Sequence, residues 1–215
     1  MMVILYTLYK NSYIDLKELD SYQGVTCYLN STNRCNCACT FCLRNTKEMI
    51  ENNSLWLKEE PTVKQIIAEF EKYDLNAFKE VVFCGFGEPL MRHDDLMEVA
   101  RYLKKRRNTL PIRINTNGLA NKAANKDITS DFAGLIDTVS ISLNAPNKEE
   151  YYQLTRAKYG IDSFDEMLDF TKKCRQYVDN VVLTVVDIIG DEKIAACQKI
   201  ADDLKVTLRV RPFEE

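Results

Sequence analysis

Two rhythms of apolar and polar residues take turns along this chain. Short apolar runs recur at Val25–Asn30, Glu80–Cys84, Ile112–Thr116, Thr138–Leu143, Val181–Asp187 and Val206–Val210. Between them lie stretches with helical spacing. Pro61 suits a first helical position, and Val63, Ile66, Ile67 and Phe70 follow at intervals of three and four through Tyr73. Leu96–Lys105 and Glu192–Leu204 read the same way, as does Lys148–Val178 with a break near Tyr159-Gly160. A strand–helix alternation of this kind predicts a parallel sheet with right-handed crossovers. The near-continuous apolar strands suit a sheet covered by helices. Six units fall short of a closed eight-unit barrel. The pattern therefore predicts an α/β fold, an open partial (βα)6 barrel over residues 25–211, as the single domain of residues 1–215. A β extension over residues 1–24 precedes it, a hairpin of Val3–Tyr9 and Ser12–Leu16 turning at Lys10-Asn11.

Composition narrows the picture. A length of 215 residues allows one sizeable α/β domain. A hydrophobic share of 46% with 28% charged residues is that of an ordinary globular protein. The net charge of −3 argues against a nucleic-acid coat protein, though not against local contact with RNA. The basic run Lys104–Arg107 falls at a helix C-terminus, where it complements the helix dipole. Four of the eight cysteines crowd into residues 35–42, which reads as metal ligation in a reducing compartment rather than a disulfide framework. The N-terminus has no basic segment and no cleavage site, and no run of about 18 apolar residues occurs. The expected setting is the cytoplasm, with no membrane partner.

The candidate chemistry gathers at strand ends. After the first strand comes N-R-C-N-C-A-C-T-F-C, with Cys35, Cys39 and Cys42 at C-x3-C-x2-C and the aromatic Phe41 just before the last. Three thiolates can hold three irons of a [4Fe–4S] cubane and leave the fourth iron open. A zinc site using Cys37 or His93 as fourth ligand, or an electron-transfer cluster, are the alternatives. Cys37 lies between the ligands and is expected to point elsewhere. The second strand ends in Gly85-Phe86-Gly87-Glu88-Pro89, a turn able to bring carbonyls and a carboxylate close to a ligand's ammonium. Asn115 and Asn117 end the third strand as pocket candidates. Ser140, Ser142 and Asn144 alternate along the fourth and are expected to share a face. Arg209 and Arg211 share a face on the last strand, and they and Arg156 are candidates to meet a carboxylate.

These motifs resemble those of the radical S-adenosylmethionine (radical SAM) enzymes. The runs N-R-C-N-C-A-C-T-F-C, S-L-W-L-K-E-E-P-T, V-V-F-C-G-F-G-E-P, R-I-N-T-N-G-L-A-N, V-S-I-S-L-N-A-P-N and L-R-V-R-P-F are similar to the small TatD-associated members. The resemblance covers essentially the whole chain. Phe86 stands where many members carry the first of two adjacent glycines. The resemblance implies a [4Fe–4S] cluster on Cys35, Cys39 and Cys42, with SAM as cosubstrate on its open iron. With the residues singled out above, the SAM-pocket candidates are Phe41, Gly85, Phe86, Gly87, Glu88, Asn115, Asn117, Ser142, Asn144, Arg156, Asp187 and Arg209. Gly85–Glu88 would take the methionyl amino group, Ser142 and Asn144 the ribose or carboxylate, and Asp187 would lie beside the adenine. The resemblance also implies oxygen sensitivity, an electron donor such as flavodoxin or ferredoxin, and a TatD-like hydrolase as partner. The chemistry implied is reductive cleavage of SAM to a 5′-deoxyadenosyl radical that takes hydrogen from a substrate. Pro212-Phe213 follows directly on the sixth strand near the end of the sequence, so an open mouth suited to a peptide or protein is expected. The alternatives are a nucleoside or small metabolite as substrate, or a non-catalytic zinc or Fe–S module serving a hydrolase.

Overall fold

Lys10 and Asn11 both adopt positive φ, 49° and 62°, which turns the first apolar run back on itself as a two-residue hairpin. That hairpin opens a computed structural model describing residues 3–46 and 54–213. Its strands are β1 (Leu5–Tyr9), β2 (Ser12–Asp15), β3 (Thr26–Leu29), β4 (Glu80–Phe83), β5 (Ile112–Thr116), β6 (Thr138–Ser142), β7 (Asn180–Val186) and β8 (Thr207–Arg211). The α-helices are α1 (Leu43–Thr46), α2 (Val63–Phe70), α3 (His93–Arg106), α4 (Ala120–Ala124), α5 (Lys148–Thr155), α6 (Ser163–Cys174) and α7 (Asp191–Asp203). This is the α/β fold with a mostly parallel, open sheet and an N-terminal hairpin that the apolar rhythm predicts. The break expected near Tyr159-Gly160 is real and separates α5 from α6. Among the described residues no helix is long and apolar enough to cross a membrane.

The chain divides into two compact units. The first comprises Met1–Arg34, Met49–Ile114 and Leu135–Asp137, the second Cys35–Glu48, Asn115–Gly134 and Thr138–Glu215. In the first, β1 pairs antiparallel with both β2 and β3, while β3, β4 and the start of β5 run parallel. The register Cys27↔Val81↔Ile112 and Leu29↔Phe83↔Ile114 puts six fully buried apolar side chains on one face. The buried stripes of α2 (Ile66, Phe70) and α3 (Leu96, Val99, Ala100, Leu103) complete this core. Each Val, Leu, Ile or Phe among them contributes roughly 1.5–3 kcal/mol by leaving water. Thr62 starts α2 with a capping box closed by Gln65.

The opposite face of the same strands carries Thr26, Tyr28, Glu80 and Arg113. Arg113 donates to both oxygens of Glu80, at 2.9 and 3.2 Å, and hydrogen-bonds the Tyr28 hydroxyl. The basic run after α3 is tied down: Lys104 pairs with Asp137 at 2.8 Å, and Arg107 donates to the carbonyls of Leu75 and Phe78.

In the second unit β6, β7 and β8 run parallel. Val139, Ile141, Leu183 and Val185 are fully buried, as are Met167, Phe170 and Cys174 of α6 and Cys197 and Ala201 of α7. Cys174 and Cys197 are core residues, and burial pushes the Cys197 thiol up to about 11. The other strand face carries Ser140, Ser142 and Thr184. Register aligns Ser142, Thr184 and Arg209 across the three strands.

Candidate functional site

In the first unit the turn after β4 is built against residues 30–34. Gly85 has φ +152°, and a Cβ there would stand 2.4 Å from Asn30 Oδ1. At Gly87 a Cβ would stand 2.3 Å from the Thr32 carbonyl oxygen and 2.7 Å from that of Arg34, so only glycine fits. The Glu88 amide donates to the Arg34 carbonyl at 2.8 Å. Glu88 is 4% exposed, and one of its carboxylate oxygens caps Leu90 N at 3.1 Å. Phe86 is buried and meets Trp56 edge-on, with ring centroids 5.2 Å apart.

The side chains of Arg92 and Glu60, with carboxamides of the segment itself, hold this 30–34 leader to the rest of the unit. Arg92 donates to the carbonyls of Ser31 (2.8 Å) and Pro61 (2.7 Å) and pairs with Asp95 at 2.6 Å. Glu60 takes a fork of two 2.8 Å bonds from Arg34 and accepts from Thr32. Asn33 exchanges two hydrogen bonds with the backbone of Leu57, and Asn30 donates to the carbonyls of Val3 and Leu55.

At Cys35 the chain enters the second unit, and the means of support changes. The cysteine loop lies along the end of α5 through backbone hydrogen bonds. Ala38 N donates to Thr155 O and Thr40 N to Leu154 O, both at 2.9 Å, and Lys158 N donates to Asn36 O at 2.8 Å. Arg156, in the left-handed region at φ +46°, makes the turn that presents these groups. Inside the loop the Cys37 amide donates to Cys35 Sγ at 3.4 Å, and the Cys42 amide to Cys39 O at 3.3 Å. The Cys37 thiol lies against the sulfurs of Cys35 and Cys39, either of which can accept its one proton. It is buried among them and does not point elsewhere; docking of the loop onto residues 154–158 turns it inward, which spacing alone does not reveal. A hydrogen bond from the Cys37 thiol, opposed by burial and assisted by the Cys37 amide, Arg44 and Asn117, brings the Cys35 thiol down to about 6. Cys39 is lowered chiefly by the same donor, and Cys37 is raised by lying against both. The environment favours thiolates at Cys35 and Cys39, the form a metal takes.

The remaining residues named from sequence distribute unevenly. Asn117 is half-buried beside the cysteine loop. Phe41 and Cys42 lie on the loop and are half-buried, as are Asn115 and Ser142 at strand ends. Asn144 does not continue the alternation of β6. It sits past the strand at φ +59°, 3% exposed, its amide bonded to Thr184 O and its Oδ1 buried without a hydrogen-bond partner. Arg209 donates to Ser140 Oγ at 3.3 Å, on the polar face of the strands. Arg156 and Asp187 are exposed, and Asp187 accepts from Phe213 N at 2.9 Å. Thiolate-favouring sulfurs, a buried carboxamide oxygen lacking a partner and a glycine-lined turn are groups that fit a cluster and an amino-acid-bearing cosubstrate. Among the described residues no three His, Cys, Asp or Glu side chains converge on one point as ligands of a single ion. Sequence reading missed Asn36, Glu60, Arg92, Glu80 and Arg113. Only the last two left a signal, as charges inside otherwise apolar strands.

The comparisons with known proteins agree with this chemistry. The profile of the family described as the Radical SAM superfamily matches residues 29–204. A GTP 3′,8-cyclase of Aquifex aeolicus is 27% identical over 183 residues, which is 84% of this chain and 54% of the cyclase. A probable dual-specificity RNA methyltransferase RlmN of Alkaliphilus oremlandii is 27% identical over 172 residues, 74% of this chain and 43% of that protein. This chain thus spans about half the length of such relatives. In fold it is similar to SuiB of Streptococcus suis. SuiB bound to S-adenosylmethionine gives a TM-score of 0.65 at 18% identity, covering 87% of this chain and 40% of SuiB. SuiB bound to its precursor peptide SuiA gives 0.62, also at 18% identity, over 86% of this chain and 38% of SuiB.

Proposed function

We propose, because this chain belongs to the radical SAM superfamily, that it is an enzyme using a [4Fe–4S] cluster and S-adenosylmethionine to take a hydrogen atom from a peptide or protein. Members of the superfamily use that cluster and that cosubstrate. When bound, they supply reductive cleavage of SAM to a 5′-deoxyadenosyl radical, which can attack an unactivated C–H bond. The observation that carries the reading is the cysteine loop itself, which sets Cys35, Cys39 and Cys42 on one short segment fixed through its backbone to residues 154–158, with the Asn117 amide beside Cys35.

In this reading Cys35, Cys39 and Cys42 each ligate one iron. The backbone of Gly85–Gly87 accepts the methionyl ammonium, with Glu88 bracing the turn from within. Asn144 Oδ1, buried and in need of a donor, takes a ribose hydroxyl, and Ser142 and Arg209 serve the carboxylate from the polar strand face. Phe41, Asn115 and Asn117 are assigned to the same cosubstrate, as are Arg156 and Asp187, which are exposed. The likeness in fold to SuiB, whose structure holds a precursor peptide, supports a peptide or protein substrate. The working state is reduced and oxygen-sensitive, in the cytoplasm, with flavodoxin or ferredoxin as donor. A TatD-like hydrolase partner rests on the motif resemblance alone. Relatives named for GTP and for RNA make a nucleotide substrate the second reading.

Anaerobic reconstitution should give roughly four irons and four sulfides per chain, and dithionite should then yield 5′-deoxyadenosine. A Cys39→Ala protein that still cleaves SAM would overturn the reading. Deuterated cell extract, separated into peptide, RNA and nucleotide fractions, identifies the substrate class. Label should enter 5′-deoxyadenosine from the peptide fraction, and transfer only from the nucleotide or RNA fraction reverses the ranking.

A further inference from the structure

Asn117 is placed by its own oxygen. Oδ1 accepts from Leu119 N at 3.0 Å, the short Asx turn that lets the chain leave β5 for α4. With the oxygen committed, the amide nitrogen has one direction available, toward the cysteine loop 80 to 82 residues earlier. There Nδ2 donates to Asn36 Oδ1, and it stands 3.6 Å from Cys37 Sγ and 3.8 Å from Cys35 Sγ. Asn36 is 5% exposed and is anchored through its carbonyl by Lys158 N. The Asn117 nitrogen is therefore braced on one side by the turn and on the other by a buried carboxamide whose main chain is held by Lys158 N.

The Cys35 sulfur meets two N–H donors in this arrangement, the Cys37 amide and the Asn117 side chain. The Arg44 charge acts on it as well. Hydrogen bonds to a ligating thiolate sulfur withdraw negative charge. They stabilise the reduced, more negative cluster more than the oxidised one and so raise its potential. We propose that Asn117 is a positioning residue whose side-chain N–H bonds the Cys35 sulfur and raises the reduction potential of the cluster held there. This rests on the cluster reading above and deepens it: Asn117, assigned there to the cosubstrate, also acts on the cluster through the Cys35 sulfur.

The test is a redox titration, followed by electron paramagnetic resonance, of anaerobically reconstituted wild type and Asn117→Ser. Serine keeps a hydroxyl that can accept from Leu119 N, adds no charge and is too short to reach the sulfur. Iron and sulfide content should match wild type, and the midpoint potential should move to a more negative value. In resonance Raman spectra, the shift of the iron–thiolate stretch between H2O and D2O should shrink. An Asn117→Ser midpoint equal to wild type overturns the proposal. If the serine protein does not hold iron, Asn117→Asp replaces it, being of the same size and still able to accept from Leu119. A potential at or above wild type then overturns the proposal. A wild-type chain that takes up zinc and forms no 5′-deoxyadenosine overturns the cluster reading along with it. A normal cluster with active SAM cleavage and no shift overturns only the role of Asn117.

Discussion

The peptide bond between Arg34 and Cys35 joins two stretches held largely by different means. Residues 30–34 are gripped by side chains: the Arg92 guanidinium, the Glu60 carboxylate and the carboxamides of Asn30 and Asn33. Residues 36–40 are held by main-chain hydrogen bonds to residues 154–158. The difference follows from what each stretch has to do. A cysteine loop must leave its side chains available to a metal, so its support falls to the backbone. A leader with no ligands of its own can spend its polar side chains, and those of its neighbours, on rigidity. The leader should therefore be fragile to single substitutions. The cysteine loop should tolerate most changes that leave its backbone amides intact.

The sharpest way to break that contrast is Gly87→Ala, which sets a methyl against two backbone oxygens that have no rotamer to escape by. Destabilisation at or above the upper end of roughly 1–3 kcal/mol is expected, read from the urea midpoint. Arg92→Ala comes next. It leaves the Ser31 and Pro61 carbonyls without their donor and should cost about 2 kcal/mol. Arg92→Lys should recover only part of this, because an ammonium lacks the planar fork that serves both carbonyls and Asp95 at once. On the other side of the junction, Lys158→Pro removes the one amide that holds Asn36 O. A loss of about 1 kcal/mol is expected, with faster hydrogen exchange at Ala38 and Thr40 and weaker cluster retention.

The smallest effect belongs to Arg34→Ala. The Arg34 side chain is 56% exposed and its pair with Glu60 is largely solvated, so less than about 1 kcal/mol is expected, falling with added salt. Its pH dependence has a definite sign. Burial alone would raise the Glu60 carboxyl, but hydrogen bonds from Arg34 and Thr32 and the charges of Arg34 and Arg92 hold it below its ordinary 4.5. A carboxyl depressed in the folded state stabilises the fold above the unfolded value, and that contribution is lost as pH falls through the folded one. The gap between wild type and Arg34→Ala should be constant above about pH 6 and close in acid. A gap that widens in acid would contradict the assignment.

Much of the architecture was legible from local pattern. Apolar runs five to seven residues long, separated by helical spacing, place β3 to β8 within a residue or two of where they lie. Lys10-Asn11 announces the hairpin, and the interruption at Tyr159-Gly160 marks a true helix end. The cysteine spacing marks the loop because ligand sets on short loops are local features. Side-chain direction was less legible. Cys37 is turned inward by a loop docked on residues more than a hundred positions later. Asn144 leaves its strand at a left-handed backbone that strict alternation does not anticipate. Arg156 is exposed at the turn it makes, and Asp187 is exposed and accepts from Phe213 N.

Hydrophobic period and motif spacing are properties of neighbouring residues, so the order of strands and helices, the hairpin and the three-cysteine loop follow from the chain read alone. Tertiary structure decided which polar groups meet. Arg92 finds Ser31 from 61 positions away, and Asn117 finds Asn36 from 81. A hydrogen bond depends on ångström-scale placement of both partners, and only the packed core supplies that placement to residues so far apart in sequence.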